Sequence, residues 1–429
     1  MTGAMLSHVS EGTQPNPKRA SPGWPPVVVA GGFQTGVVLM RNLVRRGLRV
    51  FCVEWFREQP CFRSVYGTTF ECPNPDEKPA EWLEFMIGLS GRIGGKPVLI
   101  PSADQFVTAI ARYAAELEPH FQFCQGAAAV QGLLATKERQ YDLANDHGLP
   151  VPRTRFVSCA ADLADFASTA RFPCLFKPLH AREWTQLPAG HPFLGSKLVL
   201  AASPEELIEK YQMVAGLNPE LVVQEVIEGP DNAKLVYLSC YGRDGRRIGA
   251  CMVRELRTCP IYFGSASVVE PVSDPEADRL CDGFLRGVGY AGICEIELKR
   301  DTRDGRIKMI EANPRYSVTA DAAPYAGVDL GWLHYLDIIG QPVAFVTHHG
   351  RDFRHVVLLR EFTAFRSYRR AGLLPWRELI RSYRRPVAFF DFDLRDWRVT
   401  AETVDLLLRL AFGPPIRKIF PKRSRPNLS

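Results

Sequence analysis

Cys294-Glu295-Ile296-Glu297-Leu298-Lys299 followed by Met309-Ile310-Glu311-Ala312-Asn313-Pro314-Arg315 is the stretch on which the reading of this chain turns. Both runs have the composition of β-strands, and Asp301-Thr302-Arg303-Asp304-Gly305 between them carries the Asp-Gly signal of a hairpin turn. Strand alternation puts Glu295, Glu297 and Lys299 on one face of the first strand, and Glu311 and Asn313 on one face of the second. A hairpin sets these groups side by side, with the cation Arg315 next to them. Carboxylates and an amide oxygen, without histidine or thiolate, suit a hard ion such as Mg²⁺ held jointly with phosphate groups, so Glu297, Glu311 and Asn313 are the candidate metal ligands. A solvated strand face with salt bridges is the other reading. Against it, Glu311 and Asn313 stand among apolar neighbours just before a proline.

Upstream of the hairpin lie three further signals. Phe176-Lys177-Pro178 ends an apolar strand, and a lysine held there needs an anion, for which a nucleotide phosphate is suited; a snorkelling surface lysine is the alternative. Leu221 to Asp231, Leu-Val-Val-Gln-Glu-Val-Ile-Glu-Gly-Pro-Asp, reads as a strand entering a turn. Such a segment can offer backbone groups to an adenine edge and a carboxylate to a ribose, or it can be a plain edge strand. Lys137 lies on a helix predicted from about Gly132 to Asp146, which Gly148-Leu149-Pro150 terminates.

The N-terminal part begins differently. Val27-Val28-Val29-Ala30, a Gly31-Gly32-Phe33-Gln34-Thr35-Gly36 loop, a helix from Val37 to Arg46 and a strand from Leu48 to Val53 form a β-loop-α-β unit, which predicts an open parallel sheet. Val98 to Pro101 is a later strand of that sheet, with Ser102-Ala103-Asp104 at its carboxyl end, where α/β sheets place ligands. The glycines do not follow the dinucleotide-binding pattern, and Glu54 is a weak ribose candidate, so an oxidoreductase is the less favoured reading of this unit.

Composition narrows the class. Hydrophobic residues make up 46% and charged residues 23%, the balance of a globular protein, and no run approaches the roughly 18 unbroken apolar residues of a membrane-spanning helix. The eleven cysteines are scattered without C-x-x-C spacing, which predicts buried thiols rather than disulfides or zinc. From Arg351 to Ser429, 18 Lys/Arg stand against 8 Asp/Glu, while the whole chain carries +6, so a basic C-terminal segment follows a slightly acidic body. Phe362, Phe365, Tyr368 and Leu373 interleave there with Arg366, Arg369 and Arg370. A basic amphipathic helix docking on anionic lipid is one reading, and a helix packed on the body is the other.

Taken in this order, the pieces resemble the ATP-grasp superfamily over roughly residues 27 to 345. The resemblance implies an α/β (α+β) chain: a disordered leader (1–26), an N-terminal pre-ATP-grasp domain with an open parallel sheet (27–130), a two-lobed ATP-grasp domain (131–345) and a basic C-terminal extension (346–429). It implies ATP as cofactor with Mg²⁺, or Mn²⁺ in its place. Lys137, Lys177 and Lys197 would lie along the phosphates, Gln224, Glu225, Val226, Ile227 and Asp231 would frame adenine and ribose, and Glu297, Glu311 and Asn313 would hold the metal. Arg315, Arg254 and Arg257 would steady the transferring phosphoryl group. Within the superfamily, Pro101-Ser102-Ala103-Asp104 and Lys177 to Trp184 look most like the carboxylate–amine ligases that include D-aspartate ligase. That likeness implies an enzyme that activates a carboxylate as an acyl phosphate and joins it to an amine, releasing ADP and phosphate. Its partners would be small carboxylate and amine substrates, such as an amino acid and a cell-envelope precursor, with no nucleic acid. A cytoplasmic location, peripheral contact with the inner face of the membrane, and a homodimer are compatible with it. A nucleotide-binding module without turnover is the alternative from another class.

Overall fold

The protein is described by a computed structural model covering residues 18–179, 183–348, 350 and 352–413, apart from the side chains of Gln125, Lys137 and Glu138. Strands Val27–Ala30, Val50–Glu54, Thr68–Glu71 and Val98–Pro101 form a four-stranded sheet, all parallel, with Val27–Ala30 and Val50–Glu54 in the centre. Val27 to Ala30 are completely buried, as an apolar run covered on both faces must be. Helix Gln34–Arg45 covers one side, and helices Pro79–Ile93 and Asp104–Arg112 pack through Trp82, Met86 and Phe106 on the other. Gly31 turns the chain at φ +112°, and a Cβ there would meet the Ser102 hydroxyl at 2.7 Å. Glu54 accepts the N–H of Gly32 at 2.7 Å and those of Trp55 and Phe56. The carboxylate considered for ribose therefore clamps the glycine loop instead.

Residues 18–26 are not a loose leader. Ala20 donates its N–H to the Arg46 carbonyl at 2.8 Å, and Trp24 stacks on Trp332 with ring centroids 6.0 Å apart. The helix expected over 132–146 is two helices, Ala128–Leu134 and Lys137–Asp146, with a break at Ala135-Thr136.

Two further sheets make the lobes of the central region. The small one is antiparallel, in the order Thr154–Val157, Leu221–Glu225, Cys174–Pro178, Val199–Ala201. The large one runs Ile307–Asn313, Gly292–Arg300, Lys234–Tyr241, Arg247–Cys259, Ser265–Val272, Arg354–Val356, Val387–Phe389, with Val346–Thr347 pairing beside Arg247–Cys259. The hairpin expected from its Asp-Gly turn is present and antiparallel, and Lys234–Tyr241 and Arg247–Cys259 form a second one. One face of the large sheet packs on helix Pro275–Gly287 through Tyr237, Phe284 and Ile296. Part of the other packs on helix Leu330–Ile338, which in turn meets helix Gln34–Arg45, so Val236, Leu238 and Ile293 share one core with the N-terminal domain.

The C-terminal segment is part of this architecture. Strands Arg354–Val356 and Val387–Phe389 extend the large sheet beyond Ser265–Val272. Helix Leu358–Arg370 buries Ala364 and Tyr368 with Leu374, Cys259 and Ile261. Its apolar side is thus spent on the body, and Arg369 lies over the Trp376 ring at 4.5 Å. No helix among the described residues is long and apolar enough to cross a membrane. All eleven cysteines are unpaired, and Cys159 alone is exposed.

Candidate active site

Between the small and large sheets lies a cleft with a cavity of about 480 Å³. The small sheet contributes Lys177 and the segment Gln224 to Ile227, the loop before Val199–Ala201 contributes Lys197, and the large sheet contributes Lys234, Glu297, Lys299 and Glu311. Register builds the floor: Glu297 stands opposite Glu311, Glu295 opposite Asn313, and Lys299 opposite Lys234 on the neighbouring strand. Residues opposite one another across a ladder share a face, so these charges form one field.

That field is short of positive charge at its centre. Burial pushes the Glu297 carboxyl well above the usual carboxylate range, and Glu255, Glu295 and Glu311 raise it further against the pull of Lys234. Glu295 is likewise raised by burial, although Ser317 donates to it at 2.5 Å and the Asn313 amide at 3.1 Å. Two facing carboxylates in a desolvated patch of like charge fit a divalent cation, whose binding would remove the repulsion. Among the described residues no group of three or more His, Cys, Asp or Glu encloses a metal. An ion on Glu297 and Glu311 would take its remaining ligands from phosphate oxygens and water, together with the expected third ligand, the Asn313 oxygen, which here accepts from Arg315.

The cations are arranged around this patch. Burial draws Lys177 below the ordinary lysine range, despite Glu311 and Glu297 nearby, and its Nζ lies 6.0 Å from the centre of the Tyr141 ring. Burial also works against Lys234, but Glu255 at 3.4 Å and the more distant Glu297 and Asp231 overcome it and hold its charge. Lys299 is drawn down by burial and by the facing Lys234. Lysines kept in partly dry surroundings, of which Lys177 and Lys299 form no ion pair among the described residues, favour an incoming polyanion.

The hinge between the lobes exposes main chain. The Val226 N–H donates to Pro173 and its carbonyl accepts from Arg303, whereas the N–H and carbonyl of Ile227 have no partner among the described residues. A flat heterocycle with one donor and one acceptor on its edge would satisfy both. The side chains of Gln224 and Glu225 are already engaged, with Thr154 at 2.8 Å and the Arg171 N–H at 2.9 Å.

Several sequence candidates lie elsewhere. Asp231 is buried below the hinge, where Thr258, the Tyr262 N–H and Tyr368 occupy its Oδ2 and its Oδ1 is shut off from the surface, so the structure does not present it to the cleft. Arg254 stands opposite Leu235, whereas Glu297 stands opposite Val236, so Arg254 is on the other face of the sheet and pairs with Glu270. Arg257 is buried in an ion pair with Glu361 at 2.7 Å. Neither arginine is brought into the cleft, because each has a carboxylate on its own side of the sheet. Arg315 borders the site and is held by Asp104, the first residue of helix Asp104–Arg112, Nε to Oδ1 at 2.6 Å, while also donating to the Asn313 oxygen at 3.1 Å. Lys137 opens its helix, but its side chain lies outside the described residues, as do His180, Ala181 and Arg182 of the loop after Lys177. Sequence reasoning missed Lys234 and its partner Glu255. The signal was legible in part, since Lys234-Leu235-Val236-Tyr237 places a lysine at the head of an apolar strand, as with Lys177.

No protein-family model matches the chain. It is 24% identical over 243 residues to D-aspartate ligase of Enterococcus faecium, a match spanning 55% of this chain and 57% of that protein. A shorter match, 25% over 185 residues, spans 41% of this chain and 16% of the arginine-specific carbamoyl phosphate synthase large chain of Halalkalibacterium halodurans. The chain thus matches little more than half the length of the first of these relatives and a small part of the second. Among solved structures, N5-carboxyaminoimidazole ribonucleotide synthetase of Thermus thermophilus superposes with a TM-score of 0.59 at 15% identity, covering 91% of this chain and 99% of that one. An ADP complex of N5-carboxyaminoimidazole ribonucleotide synthetase gives 0.59 at 15% identity, over 76% and 80%. L-amino acid ligase of Bacillus licheniformis gives 0.53 at 14% identity, over 73% and 74%. With two lobes facing each other across a cross-strand carboxylate pair behind an open parallel sheet, the chain has the ATP-grasp fold.

Proposed function

We propose that the chain is an ATP-dependent ligase that activates a carboxylate as an acyl phosphate and passes the acyl group to an amine, releasing ADP and phosphate. The observation that carries this reading is the pair Glu297 and Glu311, facing each other in a desolvated cleft opposite Lys177. A carboxylate attacks a triphosphate only when the repulsion between anions is removed. Mg²⁺ on Glu297 and Glu311 would supply that neutralisation when bound. Lys177, Lys234 and Lys299 hold the phosphate chain from both lobes, and Ile227 offers its main-chain donor and acceptor to the adenine edge. Arg315, whose Nε and Nη2 are held by Asp104, leaves its Nη1 for a carboxylate or phosphate oxygen at the boundary with the N-terminal domain. The names D-aspartate ligase and L-amino acid ligase point to amino acids as the substrates to try first.

The test is ADP release from purified protein with Mg²⁺-ATP, over amino acids singly and in pairs, beside Glu311→Gln. ADP appearing with particular acids and amines, and falling at least about a hundredfold in the variant, is the expected result. Nucleotide binding without ADP in any mixture would sink the ligase reading in favour of a binding module.

A further inference from the structure

Helix Leu358–Arg370 comes from the segment beyond the region of resemblance, and it is fastened at three points. Asp391 accepts the N–H groups of Leu358 and Leu359 at 2.9 and 3.1 Å. Glu361 holds Arg257, Ser267 and Tyr383. Tyr368 donates to Asp231 beneath the hinge. Between the first two fastenings stands Arg360. Its Nη1 donates to the Ala266 carbonyl at 3.3 Å, one residue from Ser265, which lines the nucleotide cleft.

Arg41, Arg257 and Arg315, which are also shielded from water, each have a carboxylate partner, in Asp321, Glu361 and Asp104 respectively. Among the described residues Arg360 makes no ion pair within 4.0 Å, although it lies in the fields of Asp391, Glu255 and Glu295. Burial is the larger influence on it and draws it below the ordinary arginine range. A half-buried guanidinium with one carbonyl for a partner is under-satisfied, and its fork of donors is built for a two-oxygen anion.

We propose that Arg360 is a substrate-binding residue that receives a two-oxygen anion at the site, namely the carboxylate group of the acid substrate. This rests on the ligase reading above. Lys177, Lys234 and Lys299 already stand on the nucleotide side of Glu297, so the phosphate chain has its cations, and the acid is left to the arginines Arg315 and Arg360. The C-terminal segment thereby helps set which acids are accepted, by adding a second guanidinium to Arg315.

The experiment compares wild type with Arg360→Gln and Arg360→Lys in three measurements: ADP affinity by calorimetry, KM for the acid that supports ADP release, and the melting midpoint of the free protein. The expected result for Arg360→Gln is a KM raised about a hundredfold, as for loss of a charge-assisted pair, with ADP affinity unchanged and the free protein no less stable. Arg360→Lys recovers part of the KM. Weakened ADP binding with an unchanged acid KM would assign the guanidinium to phosphate and overturn the proposal. A lowered melting midpoint with an unchanged KM would make it structural, with the same consequence. If no acid supports ADP release in wild type, the ligase reading fails separately, and Arg360 is judged by thermal shift with succinate, D- and L-aspartate and L-glutamate in the presence of Mg²⁺-ADP. A stabilisation lost in Arg360→Gln supports an acid site there, and no stabilisation overturns it.

Discussion

Glu361→Gln is expected to destabilise the protein by about 3 kcal/mol, because it leaves Arg257 charged and buried with no counter-charge. The side chains of Arg257 and Glu361 are 4% and 7% exposed, so water cannot take over the lost interaction. Oε1 accepts from Arg257 Nε at 2.8 Å and from the Tyr383 hydroxyl at 2.6 Å. The glutamine oxygen retains both contacts in neutral form. Oε2 accepts from Ser267 at 2.8 Å, and that hydroxyl can turn to the Arg257 carbonyl, which it already approaches at 3.1 Å. The loss is therefore that of the charge more than of the bonds, at the lower end of the roughly 3–5 kcal/mol for breaking a buried pair on one side. Glu361→Ala, which removes the acceptors too, should reach the upper end. Replacing both partners with Met should return most of the stability, since the desolvation of both charges disappears as well. Urea unfolding at neutral pH measures all four proteins. A cost for Glu361→Gln below about 1 kcal/mol, the range of an exposed pair, would refute the claim that the C-terminal helix is bound to the large sheet through a dry ion pair.

Other expected outcomes follow from single side chains. Asp104→Asn should change stability by less than about 1 kcal/mol, since Asp104 is half exposed, yet lower kcat/KM about tenfold by freeing Arg315; steady-state kinetics beside urea melts separates the two. Lys177→Met should weaken Mg²⁺-ADP binding about tenfold to a hundredfold in calorimetry while raising the melting midpoint of the free protein, because it removes a desolvated cation. Burial brings His334 from 6.5 down to about 4, so the folded protein resists a proton that the unfolded chain accepts. Its contribution to stability is present above pH 6.5 and is lost as pH falls toward 4, amounting to about 3 kcal/mol at 1.36 kcal/mol per pH unit. His334→Phe should flatten that part of the pH–stability curve, and an unchanged slope would show that other groups govern it.

Local pattern was enough for the pieces whose neighbours are close in sequence. The hairpin of Glu297 and Glu311 was legible because an Asp-Gly turn sets its register and alternation then decides which side chains share a face. The parallel strand Val27–Ala30 and the two carboxylates of the cleft came from the same kind of reasoning. Lys177 stood out because a lysine ending an apolar strand is anomalous by itself. What local pattern could not supply is which of many arginines has a partner. Arg254, Arg257 and Arg315 look alike as residues, but Glu270, Glu361 and Asp104 answer them from 16, 104 and 211 positions away. Asp231 was read as a free carboxylate for the same reason, since Tyr368 reaches it across 137 residues. The C-terminal segment shows the limit most directly. Its basic, aromatic composition suits a membrane surface as well as a protein surface, and only the pairing of Arg354–Val356 with Ser265–Val272 settles where its apolar side goes. Sequence alone thus determined the strands, the turn and the carboxylate pair, because those depend on neighbours a few residues apart. Tertiary structure alone decided which charges are neutralised and which, like Arg360, are left waiting for a ligand, because the energy of a buried charge depends on partners that the chain brings together only by folding.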